Sequence, residues 1–158
     1  MRRAMKNISL LLLLLTGVGG TYATAQSGVI AVVVSEKNLC TDIRPSDLRK
    51  IFAGEKRSWP NGVAIKIFVR GPGTPERYAL LDLLKMSEGE YRQHWVAQIF
   101  RGEAQSEPVT LPSNGMQREA ALAFPGAVEL VNMEDVKPGM KVLKVDGRIP
   151  GENGYVLH

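Results

Sequence analysis

The chain has 158 residues, 44% hydrophobic and 23% charged. That is ordinary globular material, too rich in large aliphatic side chains for disorder, and its single cysteine excludes a disulfide scaffold. The formal charge of +4 owes most to Arg2, Arg3 and Lys6; without them 17 basic residues face 16 acidic ones, a balance that argues against a nucleic-acid or anionic-membrane partner.

Residues 1–25 have the three parts of a removable export signal: a basic start, an apolar stretch from Ile8 through Leu10–Leu15 to Val18, and Ala23-Thr24-Ala25 before the cleavage point. The apolar stretch is about half the ~20 residues needed to span a bilayer. The expectation is cleavage after Ala25, leaving residues 26–158 as one soluble domain with no membrane insertion. Cys40 is then a small packed residue, and with only His94 and His158 beside it no metal site is expected.

Ile30–Val34 is a β-branched run without alternation, the pattern of a strand covered on both faces. Pro45 opens a helix whose Leu48, Ile51 and Phe52 share a face and which Gly54 closes, with Ile43 and Leu48 as a hydrophobic staple and Arg44 as a poor cap. Asn61-Gly62 marks a tight turn before a strand over 63–69. Thr74 and Pro75 then start a helix with Tyr78, Leu81 and Leu84 at helical spacing. Ser87 and Glu90 form a capping box for the next helix, with Tyr91, Trp95 and Ile99 on one face and Gly102 as its stop. A short strand is expected at 109–111, and a last helix capped by Asn114 with Gln117, ending before Pro125-Gly126. Strands over 127–131 and 141–145 complete the chain. The alternation makes the class α/β, a central sheet of four or five strands flanked by helices.

Catalysis finds little support. No Gly-x-Ser-x-Gly elbow is present, the histidines are too few for a triad, Glu134-Asp135 reads as a solvated pair, and no nucleotide loop occurs. No catalytic residue, metal or cofactor is therefore expected. The segment from Arg70 to Arg77 is different. It joins a strand to a helix, so backbone N–H groups and the positive end of the helix dipole face whatever lies beyond the strand. Thr74 offers a hydroxyl, Gly73 lets a ligand approach the backbone, and Arg70 and Arg77 offer paired donors; the plainer reading is a turn with a cap and two solvated arginines.

Ile51-Phe52-Ala53-Gly54 followed by Trp59-Pro60-Asn61-Gly62 resembles the Ile-Phe-x-Gly … Trp-x-x-Gly signature of phosphate-type substrate-binding proteins of ABC transporters. Arg70 before a Gly-Thr turn, Trp95 with Phe100 and Gly102, and Pro125-Gly126-Ala127 follow in the family's order. The resemblance implies a periplasmic protein of the class II binding-protein type, here a single lobe over 26–158, that binds phosphate or a related oxyanion and delivers it to a membrane permease. It implies ligand contacts at Arg70, Gly73 and Thr74; Arg77 is added as a local reading of the helix's first turn. The chain departs from the family in length and in two motifs, Gly71-Pro72-Gly73-Thr74 standing for Ser-Gly-Thr and Val128-Glu129-Leu130 for Ile-Gly-Tyr. The alternative is an envelope interaction or sensory module that keeps the fold without the ligand. A homodimer supplying a second wall to the cleft is also open.

Overall fold

The computed structural model describes residues 28–157; the expected export signal lies outside them. The elements run β1 (Ile30–Ser35), β2 (Asp42–Ile43), α1 (Pro45–Phe52), β3 (Lys66–Arg70), α2 (Pro75–Leu84), α3 (Glu88–Phe100), β4 (Val109–Leu111), α4 (Asn114–Ala123), β5 (Ala127–Asn132), a 3-10 turn (Met133–Asp135), β6 (Met140–Val142) and β7 (Lys144–Val145). The mixed α/β class is as read, and the central sheet has five strands in the order β4-β3-β5-β1-β6. β3 runs parallel to both β4 and β5, whereas β1 runs antiparallel to β5 and β6. β2 and β7 form a separate parallel pair.

Every residue of β1 is buried, and its alternation sorts the core into two layers. Ile30, Val32 and Val34 meet Leu80 and Leu83 of α2 and Leu48, Ile51 and Phe52 of α1. Ala31 and Val33 turn the other way, with Val131, onto Ala121 of α4. Phe68, Leu111, Ala120 and Ala127 extend that second layer. Helices thus cover both faces, which is why the strand shows no polar alternation.

The structure departs from the sequence expectations in five places. Residues 63–65 do not join the sheet: Trp59 N–H donates to the Val63 carbonyl and Ile65 N–H to that of Arg57, so this stretch folds back across the Asn61-Gly62 turn and β3 begins at Lys66. The expected strand over 141–145 breaks at Leu143, because β6 pairs with β1 while β7 pairs with β2. In α2 the buried residues are Glu76, Arg77, Ala79, Leu80 and Leu83, and Tyr78 is exposed. In α3 the inward face is Tyr91, Trp95 and Gln98, with Ile99 outward. The cap of α4 is Ser113, whose hydroxyl accepts from Met116 N–H, and this leaves the Asn114 side chain for another use. The Thr74 cap of α2, the Ser87–Glu90 capping box and the uncapped Arg44 are as expected.

Candidate functional site

Two helices leave the carboxyl edge of the parallel strands on opposite faces. β3 leads into α2, which covers the face of Val69, Val128 and Leu130. β4 leads into α4, which covers the face of Phe68, Leu111 and Ala127. Adjacent parallel strands whose helices diverge to opposite faces leave a crevice at their carboxyl ends, the place where open α/β sheets take ligands. Here the N-termini of α2 and α4 flank it, so their unpaired N–H groups and dipoles bring positive potential to it.

Arg70, the last residue of β3, stands in this crevice on the α4 side. Its guanidinium donates to Asn114 Oδ1 and, at 3.5 Å, to Gln117 Oε1. Asn114 Nδ2 donates in turn to Asp135 Oδ2 at 2.6 Å, just beyond the end of β5. Gln117 is buried and donates to the Leu130 carbonyl at 2.7 Å. The Nε of Arg70 is buried without a partner among the described residues, an unsatisfied donor of the kind that is costly to leave unmade. Phe68, Glu76 and Leu130 share a narrow gap with Arg70 on its inner side.

The 71–74 loop is shaped by its own chemistry. Gly73 has φ +86°, a left-handed conformation that disfavours any side chain although a Cβ there would meet no neighbour. Thr74 Oγ1 donates to the Gly71 carbonyl at 2.9 Å and accepts from Arg77 N–H at 3.3 Å. The hydroxyl is therefore used by the turn and the helix cap. Thr74 N–H closes the Pro72-Gly73 turn, which leaves the N–H of Gly73 without a partner among the described residues.

Arg77 is placed apart from Arg70. It is buried, makes a two-pronged contact with Glu88 at 3.0 and 2.5 Å, and lies 4.1 Å from the centre of the Tyr91 ring. The hydrogen bonds from Arg77 hold the Glu88 carboxyl below the usual carboxylate range. This group clamps the start of α3 to α2 and spends the donors read from the sequence as a ligand contact. The structure thus brings Arg70 and the 71–74 backbone together at one edge and gives Arg77 a packing role.

Sequence reasoning missed Asn114 and Gln117 as the groups that hold Arg70, and Asp135 as the acceptor that anchors Asn114. It also left Glu129 without a role. Glu129 lies in the middle of β5 opposite Val33, fully buried beneath α4, with neither carboxyl oxygen paired. Burial pushes its pKa up to about 8, only slightly countered by the nearby Gln117 amide, which is committed to Leu130. A carboxyl in that state is largely protonated at neutral pH.

Apart from Arg70 and its turn, the tryptophan and glycine motifs that carried the family resemblance sit away from this edge, around the start of β3 and β5. Trp59 Nε1 donates to the Gly126 carbonyl at 3.2 Å, and Lys66 N–H donates to the same oxygen at 2.9 Å. A Cβ on Gly126 would fall 1.9 Å from the Ala64 carbonyl oxygen, and one on Gly54 would fall 2.6 Å from the Trp95 ring. The paired tryptophan and glycine motifs are thus contacts that lock the 53–66 segment against the start of β5 and against α3.

No family model and no curated protein matches the sequence. Solved structures do. An ABC-type phosphate transport receptor from Vibrio cholerae superposes with a TM-score of 0.63 at 18% identity, over 78% of this chain and 48% of that one. PstS from Borrelia burgdorferi gives 0.58 at 18% identity, over 78% and 49%. The chain shares its fold with phosphate-type substrate-binding proteins. It spans about half the length of the structures it matches. Among the described residues no helix is long and apolar enough to cross a membrane.

Proposed function

We propose that this protein is a non-enzymatic, periplasmic solute-binding protein. Its ligand is phosphate or a related oxyanion, held at the carboxyl edge of β3 and β4 and passed to a membrane permease of the ABC type. The observation that carries this reading is Arg70, fixed by Asn114 and Gln117 between two helix N-termini with its Nε buried and unpartnered. An oxyanion there would satisfy that donor together with the open N–H group of Gly73. The binding residues are then Arg70 and Gly73, while Thr74 shapes the loop through its turn and cap bonds and Arg77 acts by holding α2 and α3 together.

Thermal unfolding of the purified protein against phosphate, sulfate, molybdate and small carboxylates tests this. A ligand at about a hundred times its dissociation constant adds ~2.7 kcal/mol, a shift of a few degrees. The expected result is an oxyanion-dependent shift that Arg70→Ala removes; no shift with any anion would refute the ligand.

A second reading has its own observation. Asp135 is tied to the Asn114 that holds Arg70, and Glu76 borders the narrow gap beside Arg70, so carboxylates as well as a guanidinium stand at this edge. In that case the fold serves as an envelope interaction module. Retention of one defined envelope protein, with no anion effect on unfolding, would select it.

A further inference from the structure

Helix α3 turns an apolar stripe outward. Val96, Ile99 and Phe100 are spaced i, i+3, i+4 and so share one face; Phe100 is 91% exposed and Val96 63%. Beside the stripe runs an open groove of about 630 Å³, walled by Arg92, Trp95, Val96 and Ile99 of α3 and by Gln105–Glu107 of the segment that follows it. Its floor holds Tyr91 and Trp95, each 3% exposed, whose hydroxyl and indole N–H have no partner among the described residues. Exposed aromatic and aliphatic side chains around buried, unpaired donors describe a surface prepared for a partner.

We infer that the occupant is a second copy of this chain, seated groove to groove about a two-fold axis. The rim argues for self-association: Arg92 stands on one wall and Glu107 on the other, both exposed. A two-fold contact is self-complementary, so Arg92 of each copy meets Glu107 of the other while the Phe100 stripes pack between them. Pro72 of the 71–74 loop also lines the groove. A second copy seated there therefore borders the loop that faces the proposed oxyanion and supplies a wall that one copy lacks. Only this last consequence rests on the proposed function; the association itself does not.

Sedimentation velocity over a micromolar concentration series tests it, with thermal unfolding as the control for folding. The expected result is a dimer that Phe100→Glu converts to a monomer that still unfolds cooperatively, at the lower temperature that loss of the dimer entails. Arg92→Glu and Glu107→Arg should each weaken the dimer roughly tenfold or more through like-charge contacts, and the double exchange should restore it. A monomeric wild type overturns the inference, as does a dimer indifferent to Phe100→Glu. Failure of the double exchange to restore association overturns the two-fold pairing. None of these readouts involves an anion, so they stand or fall separately from the Arg70 experiment.

Discussion

Glu129 gives the sharpest test of the physical reading. Its carboxyl ionises near 4.5 when unfolded and near 8 when buried under α4. Because the folded pKa is raised, the folded state holds an extra proton between those values. The contribution of Glu129 to stability is therefore greatest below about pH 4.5 and declines as pH rises, at about 1.4 kcal/mol per unit. By pH 7 the loss is about 3 kcal/mol and above pH 8 it levels off near 5 kcal/mol, a large part of the ~5–15 kcal/mol that holds a typical domain together. Glu129→Gln removes the ionisation but leaves a buried amide, costing about 1–3 kcal/mol of its own. The variant should be the weaker protein in acid and the stronger one at pH 8. Urea unfolding of both proteins at half-unit pH intervals measures this directly, and subtracting the curves cancels the titration of other groups. A wild-type-minus-variant difference that stays flat between about pH 5 and pH 8 would refute a protonated Glu129.

Other predictions concern single contacts. Glu88 has the opposite sign: its pKa is lowered by Arg77, so its contribution is present above the unfolded value and lost as acid takes pH through the folded one. Glu88→Gln should flatten the acid limb of the stability curve. Gly126→Ala should prevent a native-like fold or cost several kcal/mol, because the new Cβ would lie 1.9 Å from the Ala64 carbonyl oxygen; circular dichroism and the unfolding midpoint will report it. Trp59→Phe keeps most of the buried ring but deletes the donor to Gly126, and should cost about 1–3 kcal/mol in urea unfolding. Asn114→Ala releases Arg70 from one of its two acceptors and should weaken the proposed oxyanion-dependent thermal shift while leaving the ligand-free midpoint within about 1–2 kcal/mol of wild type.

Much of the local structure was legible because local chemistry decided it. Thr74-Pro75 starts α2, Ser87 with Glu90 boxes α3, and the unbroken apolar run of β1 announces a strand covered on both sides. The candidate site was legible only in part. A strand-end arginine before a glycine turn and a capped helix is a local pattern, and the structure puts Arg70 and the loop backbone at one edge. Arg77 looked equivalent from its position in the first turn, but the direction of its side chain depended on Glu88 and Tyr91, eleven and fourteen residues away, and on the angle between α2 and α3.

What the sequence determined by itself was therefore set within a turn or two of chain: the class, the helix starts, and the run of residues that would make a strand-to-helix loop. Strand order, the divergence of α2 and α4 to opposite faces, the grip of Asn114 and Gln117 on Arg70 and the isolation of Glu129 were decided by tertiary structure alone. Those features depend on which distant segments share a face of the sheet. Gln117 and Glu129 illustrate the reason. In sequence Gln117 reads as part of a helix cap and Glu129 as a departure from a motif, and only the packing of α4 onto β5 makes one a buried tie and the other a carboxyl with no partner.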